Sequence, residues 1–313
     1  SNKTNAPSKT ASFNLVSVVA GWSFRFALAR SAVVTLFLLA SGVTFADDRA
    51  LDVAAGGNHS CAIASSGGVM CWGDNLRGQL GDNDGPVLKP VPVATVGLRT
   101  GVVAISAGFF HTCAIAAGAK IYCWGGNNNG QLGIDDFQNT LASVPTPVAA
   151  WSDRASAIAA GYLHTCALTE SAIVKCWGSN INGQLGRGMF SINSINPTSV
   201  SGLSADVIAI AAGGFHNCAL TSQGAVYCWG YNESGQLGNN SNSDSSLPVR
   251  VANLPNDVVA IAAGRSHTCA LRGGGEVVCW GFNESGQLGD GTNTTRSTPV
   301  AVASIGRSAK AVA

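Results

Sequence analysis

Charge is what this chain has least of. Asp, Glu, Lys and Arg make up 11% of its 313 residues, and 18 basic side chains against 17 acidic ones leave a net charge of +1. A soluble domain ordinarily carries about 25% charged residues. With neither sign in excess, the chain offers no basic field to draw it onto nucleic acid or anionic lipid, so nucleic acid is not expected as a partner. Past residue 50 no stretch holds a helical period for a dozen residues, which argues against a helix bundle or an α/β fold.

Catalytic signatures are missing too. There are only five histidines, and a Ser/His/Asp triad would have to recruit one of them from a set that recurs at regular intervals. The Gly-Gln-Leu-Gly segments lack the Lys-Ser/Thr of a phosphate loop. The stretches Asp82-Asn83-Asp84-Gly85 and Asp135-Asp136 lack the glutamate that closes a calcium loop. No pair of carboxylates recurs at a fixed spacing, as a polysaccharide-cleaving enzyme would need. These absences argue for a chain without catalytic residues, bound metal or cofactor.

What is present is repetition. Aligned on His59, His111, His164, His216 and His267, five copies follow one another at intervals of 52, 53, 52 and 51 residues. Each runs through a Gly-x-x-His turn, a cysteine, a second cysteine followed by Trp-Gly, then Asn, two variable residues and Gly-Gln-Leu-Gly. The first reads Cys71-Trp72-Gly73-Asp74-Asn75-Leu76-Arg77-Gly78-Gln79-Leu80-Gly81. Short apolar runs such as Val207-Ile208-Ala209-Ile210 and His216-Asn217-Cys218-Ala219-Leu220 end at glycine turns, and a fourth short strand is expected after Pro248. Three or four strands per repeat of about 52 residues is one propeller blade, a unit that cannot bury its apolar face alone. The expected fold is an all-β propeller of about five four-stranded blades over residues 47–313. A six- or seven-bladed ring, or a truncated one, stays open, because Ala309-Lys310-Ala311-Val312-Ala313 reads like the first strand of a sixth blade.

Residues 1–46 read as an export signal. Basic residues up to Arg30 precede the apolar run from Ala32 to Ala40, and Thr44-Phe45-Ala46 followed by Asp47-Asp48 fits a cut after Ala46. The run is short for a bilayer span, so a membrane anchor is the second reading and applies only if the segment stays uncleaved.

The Trp-Gly, Asn and Gly-Gln-Leu-Gly signature, present in all five copies, resembles the regulator of chromosome condensation repeat, a β-propeller family. The resemblance covers roughly residues 50–300 and implies seven-bladed relatives. In that family pattern the histidine stands without the cysteines, which implies a structural role for the five histidines. Trp72, Trp124, Trp177, Trp229 and Trp280 recur with the same regularity, as packing between blades would require.

The ten cysteines pair by position: Cys61 with Cys71, Cys113 with Cys123, Cys166 with Cys176, Cys218 with Cys228, and Cys269 with Cys279, with none left over. A hairpin centred on Ser66 sets Cys61 opposite Cys71 and Ile63 opposite Val69, at a separation a disulfide can span. Two rival readings stand beside the five bridges: buried free thiols acting as small hydrophobes, and zinc held by His59, Cys61 and Cys71. Paired cysteines behind an export signal fit an oxidising compartment, periplasmic, cell-surface or secreted.

Recognition should lie where the copies differ. The turn before each histidine carries Gly57-Asn58, Phe109-Phe110, Tyr162-Leu163, Gly214-Phe215 and Arg265-Ser266. Phe109, Phe110, Tyr162, Leu163, Phe215 and Arg265 are therefore the candidate contacts, on one arc of one propeller face; rings folded inward over the blade tops are the alternative. The reading these features support is an exported, non-catalytic scaffold holding a protein or glycan. Family resemblance suggests instead a nucleotide exchange factor for a small GTPase, and a polysaccharide-acting enzyme is a more distant alternative.

Overall fold

The computed structural model describes residues 49–313 apart from 136–139, 191, 192 and 205. The expected export segment, with its cut after Ala46, lies outside the described residues. Each repeat forms a four-stranded antiparallel meander. Blade 1 comprises β1 (Ala50–Ala55), β2 (His59–Ala64), β3 (Val69–Gly73) and β4 (Lys89–Ala94). Blade 2 comprises β5 (Ala104–Ala107), β6 (His111–Ala116), β7 (Lys120–Gly126) and β8 (Leu141–Pro147). Blade 3 comprises β9 (Ala155–Ala160), β10 (His164–Thr169), β11 (Val174–Gly178) and β12 (Ser194–Ser199). Blade 4 comprises β13 (Val207–Ala212), β14 (His216–Thr221), β15 (Val226–Gly230) and β16 (Ser245–Arg250). Blade 5 comprises β17 (Val258–Ala263), β18 (His267–Arg272), β19 (Val277–Gly281) and β20 (Arg296–Ala301).

The register follows from the hairpins: Cys61 faces Cys71 and Ile63 faces Val69. In the same way Cys113 faces Cys123, Cys166 faces Cys176, Cys218 faces Cys228 and Cys269 faces Cys279. Disulfides close all five pairs, Cys61 to Cys71, Cys113 to Cys123, Cys166 to Cys176, Cys218 to Cys228 and Cys269 to Cys279, each within its own blade and each with Cα atoms 4.1 Å apart. With both sulfurs committed to a bridge, neither a free-thiol core nor a zinc site at His59, Cys61 and Cys71 survives. One expectation needs correcting: the fourth strand of blade 4 does not follow Pro248 but contains it. β16 is the outer edge of its sheet, where a residue without an N–H costs no ladder bond.

The signature loop is built by its own side chains. Asn Oδ1 accepts the Leu N–H five residues on, as in Asn180 and Leu185 at 2.9 Å, and Gln Oε1 accepts a backbone N–H two residues back, as in Gln184 and Asn182 at 2.9 Å. The Gln carbonyl is thereby turned toward the next blade. There the next tryptophan donates its indole N–H to it: Trp124 to Gln79, Trp177 to Gln131, Trp229 to Gln184 and Trp280 to Gln236, all at 2.9 Å. These four tryptophans are fully buried. Four of the five core clusters join the disulfide face of one blade to the Trp face of the next; Cys61, Cys71 and Leu80 pack with Ala114 and Trp124.

Among the described residues the five blades form an open arc. Inner strands β1, β5, β9, β13 and β17 pack in sequence, whereas β17 does not pack on β1 as the others pack on their neighbours. Burial records the same break. β6, β10 and β14 are buried on both faces, but β2 leaves Ser60, Ala62 and Ala64 partly exposed, and β18 leaves His267 and Cys269 partly exposed. Trp72 is likewise only half-buried. The tail beyond β20 reaches back onto blade 5: Ala309 donates its N–H to Gly275 O, as Val102 does to Gly67 O, and Ala309 and Val312 pack on the blade 5 core. Residues 309–313 thus take the place of a next inner strand without pairing into a ladder.

Candidate binding face

The Gly-x-x-His turns and the Asn loops emerge on one face of the arc, around a central depression of about 330 Å³ lined by Gly57, Gly108, Phe109, Tyr162, Gly214 and Arg265. Backbone bonds tie its rim blade to blade: Gly57 N–H to Gly108 O at 3.1 Å, Phe109 to Gly161 at 3.3 Å, Tyr162 to Gly214 and Gly214 to Arg265 at 3.0 Å.

Beneath the rim lies the histidine set. Each of the first four imidazoles meets an oxygen on the next blade through Nε2: His59 with Thr112 at 2.8 Å, His111 with Thr165 and His216 with Thr268 at 2.9 Å, and His164 with Asn217 Oδ1 at 3.0 Å. The threonine hydroxyls donate onward to Gln79, Gln131 and Gln236 carbonyls, and Asn217 donates its amide to Gln184 O. The oxygen is therefore the acceptor, and Nε2 carries the proton. Nδ1 then lies against a rim glycine; a Cβ on Gly108 would sit 2.7 Å from His111 Nδ1, which is why glycine stands there. With no acceptor at Nδ1, burial pushes His59 and His164 down to about 4 and His111 and His216 down to about 3, neighbouring imidazoles adding repulsion at the latter two. His267 is lowered by burial as well.

Above the rim the aromatic residues named from the sequence come together. Phe109 meets Phe110 edge-on at 4.5 Å between centroids and Tyr162 at 4.5 Å, and Tyr162 meets Phe215 at 5.3 Å. Phe215 continues to Tyr231 at 6.5 Å. All five rings are half-buried, so they neither project freely nor close over the blade tops. Contacts of this kind add about 0.5–1.5 kcal/mol per pair beyond area burial and so stiffen the arc. The Arg265 guanidinium lies 5.6 Å from the Tyr162 centroid, and that of Arg77 lies 5.9 Å from Phe110. Among the described residues neither arginine is in an ion pair. Leu163 is half-buried and contributes its carbonyl, which accepts the Ser179 N–H at 2.8 Å.

Sequence reasoning missed Arg77 and Tyr231. Both sit in the Asn loops rather than in the histidine turns, and only the variation among Asp74, Gly126, Ser179, Tyr231 and Phe282 at one loop position could have drawn attention to the second. Glu233 accepts a hydrogen bond from the Tyr231 hydroxyl and holds that phenol up at about 12. Among the described residues no cluster of His, Cys, Asp or Glu is arranged to hold a metal ion.

A sequence profile described as RCC1-like domain matches residues 38–254, and profiles of the regulator of chromosome condensation (RCC1) repeat match 258–287 and 274–313. The chain is 35% identical over 257 residues to the ultraviolet-B receptor UVR8 of Arabidopsis thaliana, covering 80% of this chain and 57% of that protein. It is 35% identical over 246 residues to the probable E3 ubiquitin-protein ligase HERC6 of Homo sapiens, covering 76% of this chain and 24% of that one. Among solved structures, human WBSCR16 superposes with a TM-score of 0.75 at 26% identity, covering 83% of this chain and 68% of the other. Yeast RCC1 (Prp20), solved bound to Kap60, gives 0.71 at 24% identity, covering 82% and 61%, a likeness of fold.

Proposed function

The chain belongs to the regulator of chromosome condensation repeat family, and on that premise we propose that it is an exported, non-catalytic binding scaffold whose upper face holds a protein or glycan. The observation that carries the reading is the unbroken row of rings from Phe110 through Phe109, Tyr162 and Phe215 to Tyr231, flanked by Arg77 and Arg265. Preformed aromatic surface with guanidinium groups beside it is the composition that dominates binding energy at interfaces. Five disulfides favour an oxidising compartment.

The exchange-factor alternative draws on yeast Prp20p, whose structure was reported with its binding properties to Gsp1p and histones. At 24% identity that likeness carries the fold alone. A cytosolic GTPase does not meet a chain whose bridges form outside a reducing compartment. The ligase activity in the name of HERC6 belongs to a protein of which this chain spans 24%.

The test selects ligands for the intact chain from immobilised peptide and oligosaccharide libraries, then measures them against Phe109→Ala, Tyr162→Ala and Phe215→Ala. At least one variant should weaken the selected ligands on the order of 30-fold. Unchanged affinity in all three would remove the upper face from the reading.

A further inference from the structure

The two arginines of the upper face reach inward along the arc, each across a glycine on the adjoining blade. Arg77 leaves blade 1 for the Phe110 ring of blade 2, 5.9 Å away, and Arg265 leaves blade 5, passes blade 4 and comes to 5.6 Å from the Tyr162 ring of blade 3. A Cβ on Gly126 would stand 3.3 Å from Phe110 Cβ and 3.7 Å from Arg77 Cβ. One on Gly214 would stand 2.7 Å from the Arg265 carbonyl oxygen and 3.5 Å from its Cγ. Glycine at these two points leaves room for each arginine stem at a boundary between two described blades.

Between the guanidiniums run three rings, Phe110, Phe109 and Tyr162, at successive spacings of 4.5 Å. An extended chain therefore crosses from one guanidinium to the other in about six residues or fewer. Backbone donors along this stretch are already spent. Gly57, Phe109, Tyr162 and Gly214 give their N–H groups to carbonyls of the next blade, and Gly108, Gly161 and Gly213 give theirs to the histidine carbonyls. What the row offers a ligand is ring surface, the Tyr162 hydroxyl and two guanidiniums, not the dense array of hydrogen-bonding groups that a neutral sugar requires. Among the described residues neither guanidinium is in an ion pair, and Glu233, at the Tyr231 end of the row, accepts from the Tyr231 hydroxyl instead.

Taking the upper face as the binding surface, as the proposed function does, we propose that its ligand is an acidic peptide segment: an apolar residue seated on Phe109 and Tyr162, with carboxylates on both sides that meet Arg77 and Arg265. The order of groups on the face dictates the order in the ligand. A guanidinium takes a carboxylate through two parallel N–H donors, and the rings take the apolar side chain between them. Charge steers the encounter and selects among peptides, while the rings supply the buried area.

The test pans the intact chain against an immobilised random-peptide library and, in parallel, against immobilised neutral and uronic-acid oligosaccharides. Selected peptides should be enriched in Asp and Glu on both sides of an apolar residue. Their binding should weaken about fivefold or more between about 0.05 M and 0.5 M salt, and Arg77→Gln and Arg265→Gln should each lower affinity about tenfold. Peptides without acidic enrichment, affinities indifferent to salt and to both arginine variants, or preferential capture of uronic-acid oligosaccharides would overturn the inference. The salt series and the composition of the selected peptides use the unaltered chain, so they decide even if an arginine variant does not fold. Neutral ligands that weaken with Phe109→Ala or Tyr162→Ala would sink the acidic peptide and leave the upper-face reading standing, whereas ligands indifferent to both aromatic variants would remove the two together.

Discussion

One hydroxyl does much of the joining between blades. Thr165 accepts from His111 Nε2 at 2.9 Å and donates to Gln131 O at 2.8 Å, in a position with no exposure. Thr165→Val keeps the shape and strands the imidazole N–H, which should cost about 1–3 kcal/mol. Ser60 occupies the same place in blade 1 on the open face, so Ser60→Ala should stay within about 0.5 kcal/mol. Urea unfolding of the two variants measures both, and equal losses would contradict the interface described. The histidines set the acid limit. Their folded pKa values of about 3 to 4 lie below the ordinary 6.5, so below 6.5 the unfolded chain binds more protons than the folded one. Stability should be complete above that value and fall as pH drops toward 4, each histidine contributing up to roughly 1.4 kcal/mol per pH unit. Thermal melts from pH 7 to 4 read this directly; a flat melting temperature would contradict it.

The hairpin is the element the sequence specifies best. Equal cysteine spacing, a glycine turn and an opposed pair fix the register of β2 and β3, and the structure keeps it residue for residue. The outer strand was harder to place, since Pro248 reads as a breaker and only the edge position of β16 makes it harmless. Histidine and tryptophan roles were visible as recurrence, but not their partners across the blade boundary, a side-chain oxygen on the next blade for histidine and the Gln carbonyl of the preceding blade for tryptophan, because those contacts join residues 44 to 54 positions apart in the chain. The aromatic arc was legible in the turns, whereas Arg77 and Tyr231 belong to loops whose proximity only the fold creates. At this scale each bridge should act independently. Replacing both Cys166 and Cys176 by Ser closes no loop in the unfolded chain and should cost about 2–3 kcal/mol, as seen by denaturant unfolding. No loss at all would mean that the bridge constrains nothing.

Across the whole molecule the ends of the arc differ from its interior. Trp177 donates to Gln131 O with no exposure, while Trp72 lies half-buried on the face of blade 1 that no other described blade covers. Trp177→Phe should therefore destabilise by about 2 kcal/mol or more through the lost bond and the space left behind, and Trp72→Phe by a small fraction of that; the reverse order in unfolding experiments would contradict the open arc. The central claim is a propeller stapled once per blade and formed in an oxidising compartment. A free-thiol count with a non-reducing peptide map, on chain recovered from its native compartment, tests it most directly. The account predicts no free thiol and five linked peptide pairs, each confined to its own repeat. Ten free thiols, or links that cross between repeats, would contradict it.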